Sequence, residues 1–205
     1  LNTGGMELKP QEIRNAVFQG IAIDTVKEMA NDEAFKRATG NKIPQKRMQD
    51  QDFVTRFMAF YLQGYENYVP DLDNFMNTCL EKIKTGAITM NLIERMKQDF
   101  HKSMLRASEI FADDAFRKRE NISEKKRPIN KAYFEVIAYY FAILSDEKYA
   151  VLKKNKDAFK ERLMDEMAQN KSYNGSFSGG TGQRDNVKRR FGVFHRILNE
   201  CICYK

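Results

Sequence analysis

Residues 132–144 read AYFEVIAYYFAIL, and Glu135 is the only charge among them. The run is too short to cross a bilayer, which takes about 20 apolar residues, and it carries that glutamate in its first half. It reads as a central buried helix from about Lys131 to Leu144, with Asn130 as its N-cap. A helix apolar on every side needs other helices around it, and the flanking sequence supplies them. QDFVTRFMAFYLQGY places Phe53, Val54, Phe57, Met58 and Tyr61 on one wide stripe, and DLDNFMNTCLEKIKTG puts Leu72, Phe75, Met76, Cys79, Leu80 and Ile83 in phase. Ile93, Met96, Phe100 and Met104 continue a third face behind a capping-box pattern, Asn91 with Glu94. Phe159, Leu163 and Met167 mark a fourth, and Val187, Phe191, Phe194, Ile197 and Leu198 mark the last, predicted to start near Asp185.

Upstream, Pro10 suits a first helical turn, with Ile13, Ala16 and Val17 on one face. Gly20 is predicted to end that helix, and Val26, Met29 and Ala30 to be buried on a second that begins around Ile23. No segment alternates as a strand does, and there is no internal repeat. The predicted fold is all-α, a multi-helix, bundle-like domain.

The chain has 205 residues, 42% of them hydrophobic and 31% charged, enough to bury one sizeable core. Its 35 Lys and Arg against 28 Asp and Glu leave +7, which favours an acidic partner without naming it. Cys79, Cys201 and Cys203 have no metal-ligand spacing and read as reduced thiols. With no charged-then-apolar leader and no spanning segment, the expectation is a cytoplasmic protein with no membrane partner and no metal site.

Two glycine turns precede helices. NTGG at the start offers backbone N–H groups at a positive helix end, as a phosphate would need, and GGTGQRDN carries Gly179, Gly180 and Gly182 ahead of the last helix. The second lacks the Lys-Ser/Thr pair of a Walker loop and no strand feeds it. It lies in a Gly/Ser-rich stretch of the kind that is mobile or closes over something. Either turn also reads as plain loop structure. Two basic clusters stand out: Arg117 to Arg127, with six Lys/Arg against two Glu, and Arg184 to Arg196, with five against one Asp. They read either as phosphate-contacting surfaces or as solvated helix faces. Asp71 in PDLD reads as a helix cap, Asp113 and Asp114 as a pair that would diverge or cap, and neither His101 nor His195 has a nucleophile pattern beside it.

The opening segment LNTGGMELKPQEIRNAV resembles the stretch that closes the catalytic region of the ParB/sulfiredoxin-like nuclease family, which includes GmrSD-type restriction proteins. The matching positions are Leu1, Asn2, Thr3, Gly4, Gly5, Leu8, Gln11, Glu12, Ile13, Arg14 and Asn15. KRMQDQDFVTRFMAFY, IFADDAFRK, INKAYFEVIAYYFA and GGTGQRDNVKRRFGVF resemble later blocks in the same order, mainly as core pattern. The family's Asp-Gly-Gln-Gln-Arg motif is not in this sequence, and Lys9 stands where the family has a Ser, Thr or Asn cap, a change worth roughly 1 kcal/mol locally.

The resemblance implies that Leu1 is not a natural start and that this chain is the helical C-terminal part of a larger α/β-plus-helical protein. Residues 1–20 would end the catalytic region and 21–205 would form the helical domain. The intact protein would be a nucleotide-dependent restriction or defence factor using an NTP and a divalent metal; the fragment would hold no cofactor and be inactive by itself. Asn2, Thr3, Gly4, Gly5, Glu12 and Arg14 would belong to the nucleotide site. Arg184, Lys188, Arg189, Arg190, Lys125, Lys126 and Arg127 would contact DNA. The alternative from another class is a non-enzymatic helical interaction or nucleic-acid-binding module. Oligomeric state is not legible in the sequence.

Overall fold

In the computed structural model, residues 7–203 are described, and among them there are eleven α-helices and no strand. The first five are α1 (Pro10–Val17), α2 (Ile21–Ala30), α3 (Glu33–Ala38), α4 (Gln49–Gln63) and α5 (Leu72–Lys84). Then come α6 (Met90–Phe111), α7 (Lys131–Ile143), α8 (Asp146–Lys154), α9 (Lys156–Gln169), α10 (Lys171–Gly175) and α11 (Arg184–Cys203). No helix of the described residues is long and apolar enough to cross a membrane.

α7 is the axis the sequence marks out. Asn130 caps it, accepting the Tyr133 amide at 2.9 Å, and ten of its side chains are buried, Glu135 included. Phe134 has no exposed surface and meets the rings of Phe35, Phe53 and Phe116 at 5.9, 5.1 and 4.8 Å. α6 is its largest neighbour, with α4 and α11 on other sides; α2 and α5 back α4, and α8, α9 and α10 gather around α11. The end of α7 is closed from outside: Arg106 on α6 donates to the carbonyls of Phe141 and Leu144 at 2.8 and 2.7 Å, a cation where the helix dipole is negative.

Several sequence expectations change here. α1 is amphipathic, but the face it buries is the polar one. Gln11 and Arg14 are 2% exposed, whereas Ile13 and Val17 are 48% and 54% exposed and Ala16 is exposed too. Arg14 accounts for the inversion. It enters the interior to meet Asp73, Asp52 at 3.5 Å, Asn77 at 3.1 Å and Gln11 at 3.1 Å, and those partners outweigh what two aliphatic side chains would gain by burial. α6 begins at Met90 with Thr89 as its cap, not at the Asn91 box; Glu94 instead pairs with Lys97 at 2.7 Å. Within the Gly/Ser-rich stretch, Tyr173, Ser176 and Phe177 are buried, whereas Ser178, Gly179 and Gly180 are exposed.

A ladder of charge runs through the core behind Arg14. Asp52 pairs with Arg56 at 3.0 Å and with Lys131 at 2.7 Å; Arg56 reaches Glu135 at 2.7 Å, and Glu135 holds Arg190 at 2.6 Å. Burial alone would lower the Arg56 pKa, but Glu135 and Asp52 outweigh it and raise it above the ordinary arginine value. The ladder ties α1, α4, α7 and α11 together, and so fixes how α11 starts.

Candidate nucleic-acid interface

The first two turns of α11 are held from behind and open in front. Behind, Arg190 is fully buried: beyond Glu135 it donates to the Thr181 carbonyl at 2.7 Å, while Tyr68 donates to the Gly182 carbonyl at 2.6 Å. In front, Arg184, Lys188 and Arg189 are exposed. Among the described residues none of the three meets a carboxylate; Arg189 donates only to the Asn186 side-chain oxygen, at 3.1 Å.

The second basic cluster grips the same loop from the other side. Lys118 is buried, and its ammonium donates to the Asn174 carbonyl, the Asn174 side-chain oxygen and the Ser178 hydroxyl at 3.2, 2.5 and 2.9 Å. Burial, then neighbouring Arg127, lowers the Lys118 pKa. From α11, Asn186 donates to the carbonyls of Gly179 and Gly180 at 3.1 and 3.0 Å. The segment 174–183, from the end of α10 to the start of α11, is thus the common support of both clusters.

The candidates divide accordingly. Arg184, Lys188, Arg189 and Lys125 are exposed and uncommitted to any carboxylate among the described residues. Lys126 is exposed but pairs with Asp113 at 3.3 Å, and Arg127 is shared between Glu120 at 2.8 Å and Glu124. Arg190 is a correction. It does not reach the surface, because one residue of helix, about 100° of rotation, turns it from the side of Arg189 into the core, where Glu135 waits.

At the other end of the chain, Asn2, Thr3, Gly4 and Gly5 lie outside the described residues. Glu12 accepts the Lys9 amide at 2.7 Å, replacing the missing side-chain cap, and takes Arg47 at 2.7 Å. The hydrogen bond from Arg47, then that from Lys9, lowers the Glu12 pKa. Arg14 points inward, into the ladder. Leu8, beside this turn, is 59% exposed.

Sequence reasoning missed the ladder itself, whose links between helices join residues 38 to 79 apart. The surviving surface can hold polyanions by charge, and among the described residues no group of three His, Cys, Asp or Glu is placed to hold a metal. No protein-family model, curated protein or solved structure matches this chain.

Proposed function

We propose that this chain is a helical nucleic-acid-binding module that grips the phosphate backbone with the first two turns of α11 and the segment around Lys125. The observation behind this reading is that Arg184, Lys188 and Arg189 stand exposed within six residues of one helix, with no carboxylate partner among the described residues. Charge alone sets such binding, so it is indifferent to sequence and steeply salt-dependent. In the larger protein implied by the resemblance, this surface would serve nucleotide-dependent restriction of foreign or modified DNA, with Glu12 and Arg14 bracing the nucleotide site. Fluorescence anisotropy with a labelled duplex at several salt concentrations tests the module. Three or four phosphate contacts give a slope of log affinity on log salt of about −3. Reversing Arg184, Lys188 and Arg189 to Glu should abolish the slope; affinity unchanged by those reversals would sink the reading.

A second reading, a protein-interaction module, is favoured by the apolar face of α1. Ile13 and Val17 on α1 are exposed, as are Leu8 before it and Ile21 at the start of α2. Light scattering and cross-linking with Ile13→Lys as control would separate the two.

A further inference from the structure

A cavity of about 540 Å³ lies between α9 and the segment from the end of α6 to Ile122. Phe111, Tyr133, Leu163 and Met164 give it an apolar floor. Tyr133 is 4% exposed and lines the cavity, and among the described residues its hydroxyl has no hydrogen-bond partner. Arg119 on the opposite wall is similar: its Nε is buried without a partner, although its other nitrogens hold Asp114 at 2.9 Å and the Glu124 carbonyl.

The α9 wall carries the charge. Glu161 and Asp165 stand one helical turn apart, exposed, and neither has a cationic partner among the described residues. Like charges at that spacing repel, so the pair costs stability while nothing lies between them. Of the lining cations, Lys160 pairs with Asp157 at 2.7 Å and Arg119 with Asp114, while Arg117 is held by the carbonyls of Asp113 and Arg127 at 3.2 and 2.5 Å. The cavity therefore offers an apolar floor, a hydroxyl with no partner among the described residues and two carboxylates without a cationic partner on one rim.

We propose that this cavity binds a small organic cation, a primary or secondary amine on an apolar, ring-sized body. The body lies on Phe111, Leu163 and Met164, the ammonium sits between Glu161 and Asp165, and a polar atom of the ligand meets the Tyr133 hydroxyl. A ligand with a carboxylate would face the same two acids and be repelled. A purely apolar one would leave the hydroxyl and the like-charge pair as they are. The volume falls within the range of small-molecule sites. The site is independent of the nucleic-acid reading, since it uses neither Lys125 nor the first two turns of α11.

The test uses the whole chain with tryptamine, and indole-3-propionate as the anionic probe of the same body. Methyl NMR of labelled methionines reports position through Met164, and calorimetry reports affinity. Tryptamine should bind saturably, shift the Met164 methyl, and outcompete indole-3-propionate by about tenfold. The double variant E161Q/D165N should remove most of that preference, and Tyr133→Phe should weaken tryptamine severalfold while leaving the unfolding transition in place. Equal affinity for the two probes overturns the proposal. So does tryptamine binding that E161Q/D165N leaves unchanged, or the absence of any Met164 shift at millimolar tryptamine.

Discussion

Glu135 has no exposed surface and answers to two arginines, Arg56 on α4 and Arg190 on α11. Replacing it by Gln keeps the shape and removes the charge, leaving two guanidinium groups in the core with one amide oxygen between them. Breaking a buried pair in this way costs about 3–5 kcal/mol, which urea unfolding of Glu135→Gln should show as a lower midpoint. Arg190→Met should cost less, because Arg56 still satisfies Glu135; equal losses would mean that the ladder is not shared as the geometry indicates. Two aspartates on α4 add opposite signs of pH dependence. Burial raises the Asp52 pKa, but Arg56 and Lys131 outweigh it and hold it below the ordinary value. Its contribution is therefore present above the unfolded pKa near 4 and lost as pH falls through the folded one. Asp50 is raised, chiefly by burial, so it weakens the fold as pH rises through the acid range. Relative to the parent chain, Asp52→Asn should lose ground from pH 3 to 7 and Asp50→Asn should gain it, measured by thermal unfolding across that range.

α1 is the element on which sequence and structure part most clearly. If Ile13 were core, Ile13→Ala would cost about 2–5 kcal/mol; exposed, it should cost within about 0.5 kcal/mol. Phe18, just beyond the helix and 8% exposed, should cost several times more when truncated, and chemical denaturation of both variants settles the orientation of α1. Periodicity finds a stripe but not which side of it faces inward, and for α1 that choice rests on Asp52, Asp73 and Asn77, which are 38, 59 and 63 residues away. α4, α5 and α7 were legible because their apolar faces are wide enough to leave no choice. The cap at Asp71 was legible as well, and its side chain accepts the Asn74 amide at 2.6 Å. α3 and α8 were not, being six and nine residues long with too few turns to carry a period. Of the candidate site, the exposed basic residues could be read from composition. The burial of Arg190 could not, since its partner Glu135 lies 55 residues earlier.

Among the described residues, one contiguous core runs from Phe18 to Cys201, and the charged ladder crosses the boundary that the resemblance implies at residue 20. A core that is one cluster should unfold as one unit. The three cysteines can test this without added probes. Cys79 lies on α5, 1% exposed, with its thiol pushed up to about 12 by burial; Cys201 lies on α11, 3% exposed and also raised by burial. Cys203 is exposed and would react with a thiol reagent at once, so Cys203→Ser clears the background. In that variant Cys79 and Cys201 should stay unreactive in the native state and become reactive at the same urea concentration. That midpoint should coincide with the loss of helical circular dichroism. If α11, with α8 to α10 around it, were a separate unit, Cys201 would open at its own midpoint while Cys79 stayed protected. The ladder argues against that order. Opening α11 alone would withdraw Arg190 from Glu135 and leave a buried carboxylate with half its partners, a cost borne by α4 and α7 as well.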